Sequence, residues 1–446
     1  MERRIAVAGA GHVGLVTAAC FAELGHRVTC VEIDRGRIEG LRRGELPFFE
    51  PGLGELVERH TVSGRLTFTT DYAEGAGDAD FVFIAVATPI TPDGTPDLRH
   101  VRSAAREVVR VAGERHPIIV SKSTAPVGIS ETLEHMLALE GNGAGPLPLV
   151  ANPEFLREGT AVRDFLEPDR VVLGSDDTDA RDEVASLYEP LGCPVVLTDI
   201  KTAEMVKYAS NAFLATKISF INEIAAVCER VGADVRDVAR GMGLDPRIGP
   251  DFLSAGLGFG GSCLPKDVKA LAHLAAVYGS HPQLLHAVLQ INADQKRKLI
   301  ARLRDVLGTL RGRTVVLLGL AFKPGTDDVR DAPSLDLIHS LQYEEVDLRA
   351  CDPVAVDGAR ALFPDVHYET DPYIAATDAD AVILVTEWPE YRQLDLGRLR
   401  DVMRTPVLAD GRNALDPEEA RRQGFVYLGI GLADESRAAN GHRVLV

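Results

Sequence analysis

The chain has 446 residues, 46% hydrophobic and 26% charged, with 41 Gly and 25 Pro; this is globular usage, and such a length suggests about three domains rather than one. Its 48 Lys and Arg stand against 66 Asp and Glu, a net charge of −18, which disfavours non-specific nucleic-acid binding and leaves an anionic ligand dependent on a local basic pocket. No apolar run approaches the roughly 18 residues of a membrane span, the start Met1-Glu2-Arg3-Arg4 lacks a secretory pattern, and Cys20, Cys30, Cys193, Cys228, Cys263 and Cys351 show neither C-x-x-C nor metal spacing. The expectation is a cytoplasmic protein with free thiols, no metal site, and no membrane or nucleic-acid partner.

From Arg4 to about Val196, short apolar strands alternate with helical patterns: Ile5 to Ala8, Arg27 to Glu32, Phe81 to Ala87, Ile118 to Lys122, Leu147 to Ala151 and Arg170 to Leu173. That rhythm predicts a mostly parallel, doubly wound sheet. Gly9-Ala10-Gly11-His12-Val13-Gly14 follows the first strand and opens a helix, the context of a dinucleotide fingerprint. Gly9 permits the tight turn, Gly11 lets backbone approach a pyrophosphate, and Gly14 allows close helix packing. Glu32 ends the second strand, where a carboxylate accepts from a ribose 2′-OH and repels a 2′-phosphate, so NAD is favoured over NADP. Arg37 is placed to approach the adenosine ribose or the phosphates and tempers that preference. Gly9, Gly11, Val13, Gly14, Glu32 and Arg37 are the cofactor candidates of this segment.

From about Thr202 to Val231 no strong breaker interrupts, and Met205, Ala209, Ala212, Phe213, Thr216, Ile218 and Ile221 recur at roughly helical spacing, predicting one long helix. Glu204, Lys207 and Asn211 share one face of it, either as a solvated stripe or as a polar site. In Gly258-Phe259-Gly260-Gly261-Ser262-Cys263-Leu264-Pro265-Lys266-Asp267, the cysteine follows a flexible loop, and Pro265 suits the first turn of a new helix. A thiol there gains thiolate character from the helix dipole and Lys266, with Asp267 one turn on; Cys20, Cys30 and Cys228, on apolar elements, read as core filler. Helical sequence continues to about Leu307. Strand-like runs at Thr314 to Leu320, Val346 to Ala350, Ala381 to Val385 and Val407 to Ala409 then suggest a second α/β sheet and a loose duplication. The predicted fold class is α/β: a Rossmann-like domain over 1–200, a helical middle domain with the long connecting helix over 201–308, and a second Rossmann-like domain over 309–446.

These motifs, with Ser123-Thr124-Ala125-Pro126-Val127-Gly128, Asn152-Pro153-Glu154-Phe155-Leu156-Arg157-Glu158-Gly159, Lys207 to Phe213, Phe322-Lys323-Pro324-Gly325-Thr326-Asp327-Asp328-Val329-Arg330 and Asp410-Gly411-Arg412-Asn413, resemble the UDP-glucose/GDP-mannose dehydrogenase family along nearly the whole chain. Phe252 to Gly258 before Gly-Gly-Ser-Cys is similar to the bacterial UDP-glucose type, and Ser262 departs from the Gly-Gly-His-Cys of N-acetylated-sugar enzymes. A GDP-mannose or other nucleotide-sugar substrate stays open. Glu32 stands where many relatives have Asp, which changes reach but not charge.

The resemblance implies an NAD-dependent, four-electron oxidation of UDP-glucose to UDP-glucuronate through an aldehyde, a thiohemiacetal and a thioester on Cys263. By family position Lys207 and Asn211 hold negative charge on the sugar oxygen, while Asp267, Thr124 and Glu158 assist water or proton transfers. Substrate contacts are implied for Glu154, Phe155, Leu156, Arg157, Lys207, Asn211, Phe252, Leu253, Gly260, Phe322, Lys323 and Arg412, and cofactor contacts for Thr88, Thr124, Glu158, Lys266 and Arg330. Arg247 resembles an arginine that reaches a neighbouring subunit's substrate, implying a homodimer. A two-electron β-hydroxyacid dehydrogenase has no need of Cys263, and a non-catalytic NAD sensor has no need of Cys263, Lys207 and Asp267 together.

Overall fold

The structure, a computed structural model, describes residues 2–89, 91, 97–112, 115–124, 127–140 and 147–432. The chain divides into two compact units, Met1–Ser210 and Asn211–Val446. Among the described residues no helix is long and apolar enough to cross a membrane.

The first unit holds an eight-stranded sheet made of β1 (Arg4–Ala8), β2 (Arg27–Val31), β3 (Leu66–Thr69), β4 (Phe81–Ile84), β5 (Ile118–Ser121), β6 (Leu149–Ala151), β7 (Val171–Gly174) and β8 (Val195–Thr198). Its order is β3-β2-β1-β4-β5-β6-β7-β8, parallel throughout except where β6 meets β7. The central strands β4 and β5 are buried at every position, as a sheet covered by helices on both faces requires. Alternation sorts the two layers: Ile5, Val7, Phe81 and Phe83 join Leu15 and Phe21 on one side, while Ala6, Ala8, Val82 and Ile84 join Val101 and Leu133 on the other.

The second unit carries β9 (Thr314–Leu318), β10 (Asp347–Cys351), β11 (His367–Glu369), β12 (Ala381–Leu384), β13 (Val407–Asp410) and β14 (Val426–Gly429), ordered β11-β10-β9-β12-β13-β14 and parallel throughout. This repeats the order of β1 to β6. The duplication reaches the first turn of each unit. Gly9 at φ +106° donates to Val31 O at 2.7 Å, and Gly319 at φ +101° donates to Cys351 O at 2.8 Å. Neither glycine leaves room for a side chain, since a Cβ on Gly9 comes within 2.6 Å of the backbone Ala85 O and one on Gly319 within 2.4 Å of Thr386 Cβ. In both sheets the strand order reverses beside this turn, which is where open α/β sheets take ligands.

One 32-residue helix, Ile200–Val231, crosses the boundary between the units. Its apolar positions divide between two faces rather than forming the single one that spacing suggests. Ala212, Ala215, Ile221 and Ala225 are buried, whereas Met205, Phe213, Phe220 and Val227 are exposed. The later helical sequence is interrupted by Gly279 at φ +75° and Pro282, giving Leu264–Val277 and Gln283–Leu307. Cys20, Cys30 and Cys228 are buried free thiols.

Candidate active site

The helix His12–Glu23 begins at Gly11 in extended conformation. A Cβ on Gly14 meets Gly9 O at 2.0 Å, so packing demands glycine there, but one on Gly11 meets nothing within 4 Å. Open backbone at a helix N-terminus fits a pyrophosphate. Glu32 lies beside it. Its carboxylate accepts from Ala10 N at 3.0 Å, Asp34 N at 3.1 Å and Arg37 Nη1 at 3.1 Å. A carboxylate offers about four acceptor positions, so these donors leave capacity for a ribose hydroxyl. The counterpart in the second unit, buried Asp352, is saturated by Leu320 N, Ala321 N, Val354 N, Ala355 N and Trp388 Nε1. Acceptor capacity therefore distinguishes the two turns where their backbones do not.

Deeper in the first unit, Lys207 and Glu154 form a buried ion pair at 2.9 Å, with side chains 4% and 3% exposed. Burial pushes the Glu154 carboxyl upward, but the Lys207 ammonium and its hydrogen bond outweigh it, and the net shift is down. Thr124 Oγ1 donates to Glu154 at 3.3 Å, Leu156 N donates to it at 2.7 Å, and Thr88 donates to Thr124 O. The Phe155 ring lies under the Arg170 guanidinium at 3.6 Å and 5.4 Å from Lys207 Nζ. Lys122, unmarked by sequence reasoning, is buried against the same group; its Nζ donates to Asn152 Oδ1 at 3.0 Å, which also accepts from Tyr188 OH at 2.6 Å. Burial pushes the Lys122 ammonium down to about 8. Lys122, Glu154, Phe155 and Arg170 line a cavity of about 250 Å³. Arg157 is exposed and bidentate on Asp164, and Glu158 is half-buried beside it.

Glu204, Lys207 and Asn211 are all buried, at 7%, 4% and 8% exposure, which rules out a solvated stripe. Each has its own partner. Glu204 accepts from Gly128 N at 2.6 Å and Ser130 N at 3.1 Å, tying the Ser123–Gly128 segment to the long helix; Ala125 and Pro126 of that motif lie outside the described residues.

In the second unit Asn211 Nδ2 donates to Asp267 Oδ2 at 2.6 Å, and Lys266 Nζ sits 2.6 Å from Asp267 Oδ1. Asp267 is fully buried, so Lys266 spends its charge there rather than as an isolated cation. Cys263 caps the helix Leu264–Val277, with Pro265 in its first turn, and is half-buried with Sγ 3.6 Å from Ser262 Oγ. Two asparagines that carry no motif signal hold the preceding loop. Asn292 accepts from Phe259 N at 2.8 Å and donates to Phe259 O at 2.9 Å, while Asn222 accepts from Gly256 N at 2.8 Å. Gly261 N donates to Arg330 O at 2.9 Å, and the Arg330 guanidinium rests on Asp328.

Arg412 donates to Val385 O at 2.7 Å, Gly258 O at 3.0 Å and Phe322 O at 3.3 Å, so its guanidinium also ties the glycine loop to the Phe322-Lys323 segment. A Cβ on Gly260 falls 2.3 Å from Asp331 O. Phe252, Asp331 and Asn413 hold φ of +64°, +47° and +50°, a left-handed conformation that non-glycine residues adopt at a cost and that collects at functional sites. Leu253 is buried. Arg247 extends from the surface with 88% of its side chain exposed and pairs locally with Asp245.

Three family models match the chain: the NAD binding domain, the central domain and the UDP binding domain of the UDP-glucose/GDP-mannose dehydrogenase family, over residues 3–192, 201–294 and 316–417. The chain is 49% identical to a UDP-glucose 6-dehydrogenase of Pseudomonas aeruginosa, covering 96% of this chain and 97% of that one. It is 45% identical to the UDP-glucose 6-dehydrogenase TuaD of Bacillus subtilis, covering 96% and 93%. Among solved structures, a UDP-glucose dehydrogenase from the archaeon Pyrobaculum islandicum superposes with a TM-score of 0.90 at 40% identity, covering 97% of this chain and 98% of that one.

Proposed function

The chain belongs to the UDP-glucose/GDP-mannose dehydrogenase family, and from that premise we propose that it oxidises UDP-glucose to UDP-glucuronate in two stages, with Cys263 as the covalent nucleophile. The observation that carries this reading is Cys263 itself, a half-buried thiol at a helix N-terminus behind a loop held by buried asparagines. The cofactor is NAD, which supplies the hydride acceptor for each stage. Gly9, Gly11, Val13, Gly14, Glu32 and Arg37 hold it in the first unit, with Thr88, Thr124, Glu158, Lys266 and Arg330 as further contacts.

In the first stage the sugar 6-OH loses its proton and C6 loses a hydride, leaving an aldehyde. Lys207 and Asn211 stabilise the oxygen while it carries negative charge. The Cys263 thiolate then adds to the aldehyde carbon, giving a thiohemiacetal, and loss of its hydroxyl proton together with a second hydride from that carbon leaves a thioester. Water adds to the thioester carbon and expels the thiolate, which regenerates Cys263 and yields the carboxylate. Thr124, Glu158 and Asp267 orient water or move protons. Glu154, Phe155, Leu156, Arg157, Phe252, Leu253, Gly260, Phe322, Lys323 and Arg412 shape the sugar-nucleotide site, where cationic groups offset the two phosphates in a net acidic protein.

The working parts are 1–200 for NAD, 201–308 for the nucleophile and 309–446 for the nucleotide of the substrate. The protein acts in the cytoplasm as a homodimer. Exposed Phe213, Phe220, Val227 and Val231 along the long helix supply an apolar face for the second copy, and Arg247 the reach toward it. The test is NADH formed per sugar nucleotide consumed, with limiting UDP-glucose and, in parallel, limiting GDP-mannose. We expect a ratio near two from UDP-glucose alone. Two from GDP-mannose alone overturns the base assignment, and a ratio near one removes the thioester stage.

A further inference from the structure

One buried carboxylate has no part in that reaction. Glu50, just ahead of the helix Leu53–Val62, has a side chain 0% exposed. Such a group is tolerated only when donors surround it. Its Oε2 accepts from His12 Nε2 at 2.7 Å and from Gly159 N at 2.6 Å, and its Oε1 accepts from Ala161 N at 2.8 Å. These donors come from two places distant in sequence. His12 is the first residue of the helix that starts at the glycine turn, and its ring packs on Phe48 with centroids 4.9 Å apart. Gly159, at φ +81°, and Ala161 follow Arg157-Glu158 directly and open the helix Ala161–Leu166. Thr160, at the cap position of that helix, makes no side-chain cap bond, and the Glu50 carboxylate supplies the acceptor in its place.

We infer that Glu50 is a positioning residue that couples the dinucleotide turn to the loop carrying Glu158: a single carboxylate, gripping His12 on one side and the amides of Gly159 and Ala161 on the other, makes the order of either segment depend on the other. A local helix cap needs only the two amides. The bond to His12 adds nothing to capping, yet it brings the start of the cofactor helix onto the same oxygen as Gly159 N. NAD held at that helix start restrains His12, and through Glu50 it restrains the loop that follows Glu158. By reciprocity, loosening the loop weakens NAD.

The inference rests on the NAD-dependent reading above, and the test separates the two. NAD affinity is measured by calorimetry, and backbone hydrogen exchange over residues 157–161 is followed with and without NAD, in the full-length protein. His12→Phe keeps a ring against Phe48 but removes the donor, so it cuts only the turn side of the link. Glu50→Gln turns one acceptor oxygen into a donor facing N–H groups. In the parent, NAD should slow exchange at Gly159 and Ala161. In His12→Phe we expect NAD to bind about fivefold more weakly or worse and the NAD-induced protection to be lost, although both amides keep their bonds to Glu50. The double variant should bind no more weakly than Glu50→Gln alone, because the two side chains act as one unit. Parental affinity and parental protection in His12→Phe overturn the coupling, as do additive losses in the double variant. If Glu50→Gln does not fold, His12→Phe decides alone. A parent that binds no NAD sinks the cofactor reading and this inference with it; a parent that binds while the variants match it sinks only the inference.

Discussion

At the scale of single residues, the chain places charge where burial makes it expensive, and Lys122 is the extreme case. Its amine falls from an ordinary 10.5 to about 8, first because it is buried, with Glu154 holding it up and Lys207 pushing it further down. Between these two values the unfolded chain binds the proton that the folded chain has released, so the Lys122 contribution to stability rises with pH across that window. Below about 8 the amine is charged in both states and its burial penalty is fully felt. Groups that do not interact with Lys122 cancel when the parent is compared with Lys122→Met. We therefore expect the stability difference to move in the parent's favour by about 1–3 kcal/mol between about pH 7 and pH 10, read from urea midpoints. A difference that does not change with pH would mean that Lys122 keeps one protonation state throughout. Lys122 also shows what sequence reading could not reach. Cys263, Lys207 and Asp267 stand in recognisable runs, but Lys122, Glu50, Asn222 and Asn292 are ordinary polar residues whose partners lie tens of residues away.

At the scale of elements, the loop before Cys263 is placed in part by a two-bond clip. Asn292 pairs with both the N–H and the C=O of Phe259, as a neighbouring strand would, and Gly258 beside it has φ +94° with its Cβ direction 2.2 Å from Asn292 Oδ1. Asn292→Ala leaves two buried backbone groups without partners. We expect a loss of about 2–4 kcal/mol in stability and a fall in kcat of about tenfold or more, because a small misplacement of a nucleophile is costly. Denaturation and steady-state kinetics on the folded protein check both, and parental turnover would show that the loop holds its place without the clip. Asn292→Asp refines the point, since it still accepts from Phe259 N but sets a carboxylate oxygen against Phe259 O. The same scale explains which strands the sequence announces. The buried strand β4 is an unbroken apolar run, but β3 and β11 carry no such run, and both are sheet edges. Leu66-Thr67-Phe68-Thr69 and His367-Tyr368-Glu369 face solvent on part of their surface, so neither burial nor a full hydrogen-bond ladder constrains their composition.

At the scale of the whole molecule, the long helix carries more apolar surface than its own unit covers. Phe213, Phe220 and Val227 are 65%, 44% and 52% exposed, and their spacing of seven, close to two helical turns, aligns them along one face. Scattered exposed apolar residues need no explanation, but an aligned set on one helix does. A two-fold axis through such a face pairs it with itself, so a dimer formed there buries each phenylalanine position in both copies. At about 1.5–3 kcal/mol for each large apolar side chain buried, two copies of Phe213 and Phe220 supply a substantial share of the association energy. Replacing both by Glu, as Phe213→Glu with Phe220→Glu, places four like charges in the interface and removes that apolar gain. We expect sedimentation to move from dimer to monomer at micromolar concentration while far-ultraviolet circular dichroism is unchanged, because both side chains point away from the core of their own unit. If Arg247 serves the neighbouring copy, the monomer should also lose affinity for UDP-glucose while keeping its affinity for NAD, whose binding domain spans residues 3–192. A double variant that stays dimeric assigns the interface to another surface. A monomer with parental affinity for UDP-glucose keeps the interface and removes Arg247 from the site.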